Sequence, residues 1–262
     1  QSPERPVNAP IWIAGSEDPE KDKTIAVKEQ EKQKAQSEID QEKRRADTEH
    51  AEVIRLTAEI TRLNQSLQSV PSSLSTIAYQ SIIPDPDHVK QQENKIIRTN
   101  QGIRSTVAFN PVITSGIVRF GGFFKDHPNN FFIIGIADSS AVFGSDEGPA
   151  KGENEKKTVS YWSDDNIKHL GDYIYIKGNS RIELNKTVAM EVNMNIRPRA
   201  LTFFYDNQEQ PVSVINIPSS IRFWIHLYVK ESSFTITEFS NVQYSSAKGG
   251  IEGQRIVEWG KK

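Results

Sequence analysis

The chain has no cysteine, which excludes disulfides and thiolate metal sites and fits a reducing compartment. It also has no run of about 18 apolar residues, so no membrane span is expected, and no signal-like apolar stretch follows Gln1. Because the first residue is not Met, the chain is expected to be a fragment or a processed form of something longer. Neither sign of charge dominates: 32 Lys and Arg against 34 Asp and Glu leave a net charge of -2 and a pI near 6.3. That balance gives no electrostatic ground for a nucleic-acid partner. Hydrophobic residues make up 36% of the 262, low for one compact domain, so part of the chain is not expected to form core.

Signatures of chemistry are missing as well. There is no GxSxG, GxGxxG or Walker sequence. The histidines, His50, His88, His127, His169 and His226, show no metal-type spacing and no HExxH. Asp146-Glu147 with Glu153 and Glu155 lacks the glycine and terminal glutamate of a calcium loop. No cofactor, no metal and no catalysis are expected. Asn64-Gln65-Ser66 and Asn185-Lys186-Thr187 match the glycosylation pattern, a short pattern that arises often by chance.

What is present falls into stretches of different character. Residues 1–17 hold three prolines and an Ile11-Trp12-Ile13 patch, and read as a linker or the tail of an upstream domain. Asp18-Pro19-Glu20 is a helix start signal, and no glycine or further proline occurs until Pro71. Residues 18–70 are therefore expected to form one long helix, highly charged with mixed signs. Its second half carries an apolar seam: Val53, Ile60 and Leu67 at one heptad position, Leu56, Leu63 and Val70 at the other. That seam predicts self-association as a coiled coil, frayed toward the N-terminus where Glu42 and Glu49 enter the register. The competing reading is a single helix with its stripe packed on its own domain. Residues 71–85 read as a linker.

Beyond about 86, strand and turn signals take over. "VAMEVNMN" (188–195) alternates with a period of two, predicting one dry and one wet face, and "LTFFY" (201–205) repeats the pattern. Similar short segments are "STVAF" (105–109), "GIVRFGGFF" (116–124), "FFIIGIA" (131–137), "TVSYW" (158–162), "DYIYI" (172–176), "PVSVINI" (211–217), "IRFWIHLYV" (221–229) and "SFTITEF" (233–239). No helical period of useful length interrupts them, so an antiparallel two-sheet sandwich over 86–242 is expected, with 243–262 as a tail.

The order of these segments resembles the SPRY-type (B30.2-related) β-sandwich, a concanavalin-like jelly roll. The resemblance rests on "FFIIGIA", Tyr161-Trp162 after a long polar loop, "VAMEVNMN", "LTFFYDN" and "IRFWIHLY" with "SFTI" after it. The sequence departs from the family pattern in three places: Asn185-Lys186 precedes the alternating strand, Asn195 ends it, and Gln208 follows Asn207 where glycine is usual. The last departure predicts a turn unlike the two-residue Asn-Gly type. The resemblance implies a non-catalytic, intracellular, cytoplasmic module that presents loops at one end to a protein or peptide. Such modules often follow a coiled coil or an upstream catalytic domain. The whole would then be a homo-oligomeric interaction protein or, alternatively, the regulatory region of a larger enzyme such as a protein kinase.

The expected partner-binding residues are Tyr161, Trp162, Asp164 and Asp165, at the exit of the polar loop 144–160, and Arg222, Trp224 and Tyr228 on one face of 221–229. Trp162 could equally be a core aromatic, and the Arg222-Trp224-Tyr228 row is expected to be covered by the domain's own N-terminal segment. A carbohydrate-binding sandwich is a third reading, with Trp162, Asp164, Asp165 and Asn166 as its platform.

Overall fold

The computed structural model describes residues 19–69, 75–128, 131–170 and 175–261. The chain divides into two compact units, Gln1–Pro71 and Ser72–Lys262.

In the first unit, helix α1 runs Pro19–Ser69. Proline occupies its first turn, where a missing N–H leaves no intrahelical bond unmade. Val53, Leu56 and Ile60 are exposed, at 60%, 46% and 59%. The side chains of Leu63 and Leu67, and Val70 altogether, lie outside the described residues, as does Ile11-Trp12-Ile13. Thr48, Thr57 and Thr61 turn their hydroxyls back to the carbonyls four residues earlier, so these polar side chains bond to their own helix.

The second unit is a sandwich. Its strands are β1 (Ser75–Thr76), β2 (Gln80–Ile82), β3 (Val89–Gln92), β4 (Lys95–Arg98), β5 (Ser105–Asn110), β6 (Ile117–Lys125), β7 (Phe132–Asp138) and β8 (Thr158–Trp162). There follow β9 (Ile167–His169), β10 (Tyr175–Ile176), β11 (Thr187–Asn193), β12 (Ala200–Tyr205), β13 (Gln208–Ile215), β14 (Ile221–Leu227), β15 (Ser233–Val242) and β16 (Arg255–Glu258). One sheet has the order β16-β13-β12-β11-β6-β15-β4-β3, with β1 also on β15; the other runs β10-β9-β8-β7-β14-β5-β2. Among the described residues every strand pair is antiparallel except β13–β16, which is parallel. Of the expected strand at 172–176, Tyr175 and Ile176 are seen, and the rest lies outside the described residues.

The alternating strands sit at the centre of the first sheet, β11 between β12 and β6. Val188, Met190, Val192, Leu201 and Phe203 are all fully buried between the layers. Aromatic rings bridge the two sheets there: Phe120 of β6 stacks on Phe223 of β14 at 5.2 Å, and Phe109 of β5 lies 4.9 Å from Phe120. Each such ring stabilises the fold by roughly 1.5–3 kcal/mol through burial alone.

Four sequence expectations are corrected. The wet face of β11 is dry: Glu191 is 2% and Ala189 7% exposed. Residues 245–249 cross it, with Ser245 Oγ donating to Glu191 Oε1 (2.6 Å), the Ser246 N–H to the same oxygen (3.0 Å) and the Lys248 N–H to Glu209 Oε2 (2.6 Å). Second, the sandwich runs past 86 and 242. The segment read as a linker supplies β1 and β2, and the segment read as a tail supplies this strap and β16. Third, the β12–β13 turn has two residues after all. Tyr205 pairs with Gln208, and Asp206 and Asn207 both take positive φ, 48° and 62°. The left-handed conformations fall on Asp and Asn, the side chains that tolerate them best, so no glycine is needed at 208. Fourth, residues 139–157, not the N-terminal segment, cover the outer face of β14 among the described residues: Phe143 lies 5.9 Å from Trp224, and Ala141 packs beside it.

A roofed aromatic pocket at one end of the sandwich

Four strands of the second sheet end together. Leu227 of β14 pairs with Ser105 of β5 and with Phe132 of β7, and Ile133 pairs with Trp162 of β8. Arg104, Phe131, Trp162 and Tyr228 therefore emerge side by side. Phe131 sits edge-on to Trp162 at 5.2 Å and to Tyr228 at 4.9 Å. The Arg104 guanidinium lies over the Tyr228 ring at 5.5 Å, a cation–π contact. The Lys168 ammonium lies over the Trp162 ring at 3.6 Å and the Tyr175 ring at 4.3 Å.

The connection from β7 to β8 starts at the opposite end, at Asp138, and folds back across the sheet to roof this corner. It is latched in three places. Asp146 Oδ1 accepts from the N–H groups of Ile103 (2.6 Å) and Arg104 (3.3 Å). The Glu147 carbonyl accepts from Thr106 Oγ1 (3.1 Å). Ser145 Oγ donates to Asp85 Oδ2 (2.8 Å), and His88 lies between Asp85 and Asp146 at 3.6 and 3.5 Å. Gly102, at φ +65°, permits the latch, because any side chain there would overlap His88 and the Asp146 carboxylate. These bonds hold the Asp146 carboxyl below its usual range, the Ile103 N–H first among the causes, and the Asp85 carboxyl likewise, chiefly through Ser145.

Beneath the roof lies a cavity of about 340 Å³, walled by Phe131, Ile133, Trp162, Arg104 and His226 and covered by Gly148–Gly152 with Glu155. That volume falls within the range of ligand pockets. His226 is fully buried, and desolvation first, then Arg104, Arg98 and His127, push its pKa down to about 3, so the ring is neutral. Its Nδ1 is 2.9 Å from Thr106 Oγ1. That hydroxyl has one proton, which goes to the Glu147 carbonyl, so Thr106 accepts from Nδ1–H and Nε2 carries a lone pair. Trp162 Nε1 and Arg104 Nε are buried with no hydrogen-bond partner among the described residues.

The expected site residues are dispersed. Trp162, Tyr228 and the Asp164-Asp165 turn share this end; the turn closes through the Trp162 N–H to the Asn166 carbonyl (2.8 Å), with Asp164 exposed. Tyr161 points the other way: it is fully buried, packs on Phe203 at 5.2 Å and donates to the Ser180 carbonyl (2.5 Å). Trp224 is fully buried beneath residues 141–143. Arg222 sits at the far end of β14, donating to Asn110 Oδ1 (3.0 Å) and the Ser139 carbonyl. Tyr161 and Trp224 are enclosed by the sandwich itself, and Arg222 is half-buried at the opposite end. The sequence reading missed Arg104 and Phe131. Their only local signals are the glycine turn before "STVAF" and the first ring of "FFIIGIA", and neither signal speaks of a pocket.

No family model matches the chain, and no curated protein matches it in sequence. Among solved structures the chain is similar to a human SPRY domain, at 9% identity and a TM-score of 0.47, over 61% of this chain and 96% of that one. It is similar to the SPRY domain of human HERC1 at 10% identity and 0.44, over 62% and 99%, and to the carbohydrate binding module CBM66 of Bacillus subtilis at 9% and 0.38, over 65% and 96%.

Proposed function

We propose that this is a non-catalytic protein-interaction module that recognises a peptide or protein at the roofed end of its sandwich. Helix α1 joins copies so that weak sites act together. The observation that carries the reading is the pocket itself: aromatic walls on a sheet, with Trp162 Nε1–H and Arg104 Nε–H buried and without partners among the described residues. An unsatisfied buried donor is worth about 1–3 kcal/mol to whatever satisfies it. Trp162, Tyr228, Asp164 and Asp165 remain the proposed contacts, joined by Phe131 and Arg104. The exposed Val53, Leu56 and Ile60 support the oligomeric half of the reading, and pairing two sites raises avidity without new contacts. A sugar platform is less well supported, since Lys168 already occupies a face of Trp162.

The test is peptide selection from a random display library on the whole chain, followed by calorimetry with Trp162→Ala. Loss of binding by about tenfold or more supports the site, as expected for a buried aromatic anchor. Unchanged binding of every selected peptide would move the site elsewhere.

A further inference from the structure

Resting on that reading, we infer that the pocket is built for a single carboxylate, that of an Asp or Glu side chain in a peptide, with Arg104 as its anchor. The charges of the lining carry the inference. Arg104 and Lys151 are cationic and Glu155 is anionic, so the walls hold one uncompensated positive charge. Arg104 has no carboxylate within ion-pair distance among the described residues, and its Nε is buried and unbonded. Its tether to Asp146 runs through the backbone N–H, not the guanidinium, whose face lies over Tyr228 and whose N–H edge has no hydrogen-bond acceptor among the described residues. Arg98 adds nothing to this balance: it is fully buried outside the pocket lining, spends Nη1 on the Thr99 and Gln101 carbonyls and has the Asp146 carboxylate as its charged neighbour. Buried cations are ordinarily paired, and an arginine fork matches a carboxylate with two parallel hydrogen bonds.

The rest of the pocket restricts the anion. The Trp162 Nε1–H is a third donor for the same guest. His226 contributes no charge, only a lone pair at Nε2, and Glu155 lies at the rim, so a dianion would meet too little positive charge. Phe131 and Ile133 form the apolar side and favour an apolar residue beside the acid. The ligand is therefore an acidic residue with an apolar neighbour.

The experiment uses the whole chain and heptapeptides selected from random display, each remade with its acid changed to the matching amide. Binding is measured by calorimetry to the natural sequence, Arg104→Gln, Arg104→Lys and Trp162→Phe, with thermal melts to establish folding. The expected result is loss of about tenfold or more on the acid-to-amide change, the same loss in Arg104→Gln, and only partial rescue by lysine. Trp162→Phe keeps the ring, loses the N–H and weakens binding by a smaller factor. Peptides that depend on Trp162 but tolerate the amide would overturn the carboxylate inference and leave the interaction site standing. Peptides indifferent to both Trp162 and Arg104, or no selected peptide at all, would overturn both.

Discussion

Gly135 and Trp224 face each other across the β7–β14 ladder, and the indole lies where a side chain at 135 would project. A Cβ there would overlap both the indole and the Val159 carbonyl oxygen, in the middle of three hydrogen-bonded strands. Gly135→Ala is expected to destabilise the sandwich by about 3 kcal/mol, the upper range of overpacking, and to lift Phe143 and the roof from Trp224. Urea unfolding measures the first effect, and hydrogen exchange in residues 139–157 the second. A variant as stable as the parent would show that the indole can move aside freely.

Three histidines are buried neutral: His127 (pKa pushed down to about 4), His226 (about 3) and His169 (also lowered), each by desolvation first. His169 is held from both sides, its Nδ1 2.9 Å from the Thr158 carbonyl and its Nε2 accepting the Gly260 N–H at 2.7 Å, so a second proton has no acceptor. The unfolded chain takes up protons near pH 6.5, and the folded chain does so only well below. Stability is thus complete above about pH 6.5 and falls as pH drops toward about 4, by a few kcal/mol for each of His127 and His226, with His169 acting in the same direction. Denaturant midpoints at pH 7.5, 6, 5 and 4.5 check this; a flat profile would contradict it.

Glu191 is buried on the outer face of β11, 3.9 Å from Arg119 Nη1, and accepts hydrogen bonds from the strap at Ser245 and Ser246. Glu191→Ala is expected to destabilise the fold by about 3 kcal/mol and to open 245–249 to proteolysis. Arg119 keeps Glu238 at 2.9 Å, which holds the loss at the lower end of the range for a broken buried pair.

Asp146 is only half-buried but fastens the roof. Asp146→Ala is expected to raise exchange at the Ile103 and Arg104 amides and to weaken peptide binding, with little change in global melting. Since the Asp146 carboxyl is held below its usual range, acid acts in the same direction, and the latch is lost as pH falls through that lowered value. Protection at Ile103 that survives the substitution would place the latch elsewhere.

Ile60 is 59% exposed in the middle of the heptad seam. The whole chain is expected to sediment as a dimer or larger and Ile60→Asp as a monomer, since a charge in the seam opposes zipping. A parent chain that is already monomeric would remove avidity from the mechanism.

The sequence by itself determined the helix, which follows from a proline-led, glycine-free charged run, and the strands of the sandwich, which follow from alternation such as that of Val188, Met190 and Val192. Both are local patterns, set by backbone geometry and by which face meets water. Tertiary structure decided the rest. Glu191 reads as solvated from its strand alone and is buried because a strap about 55 residues later crosses it. Tyr161 and Trp162 are neighbours in sequence, yet one serves the core and the other the pocket, because adjacent residues of a strand face opposite ways. Arg104 joins Phe131, Trp162 and His226 because four strands stop at the same level, and the Asp146 latch closes the roof above them. Those are long-range pairings, fixed by packing two sheets face to face, and no local period records them.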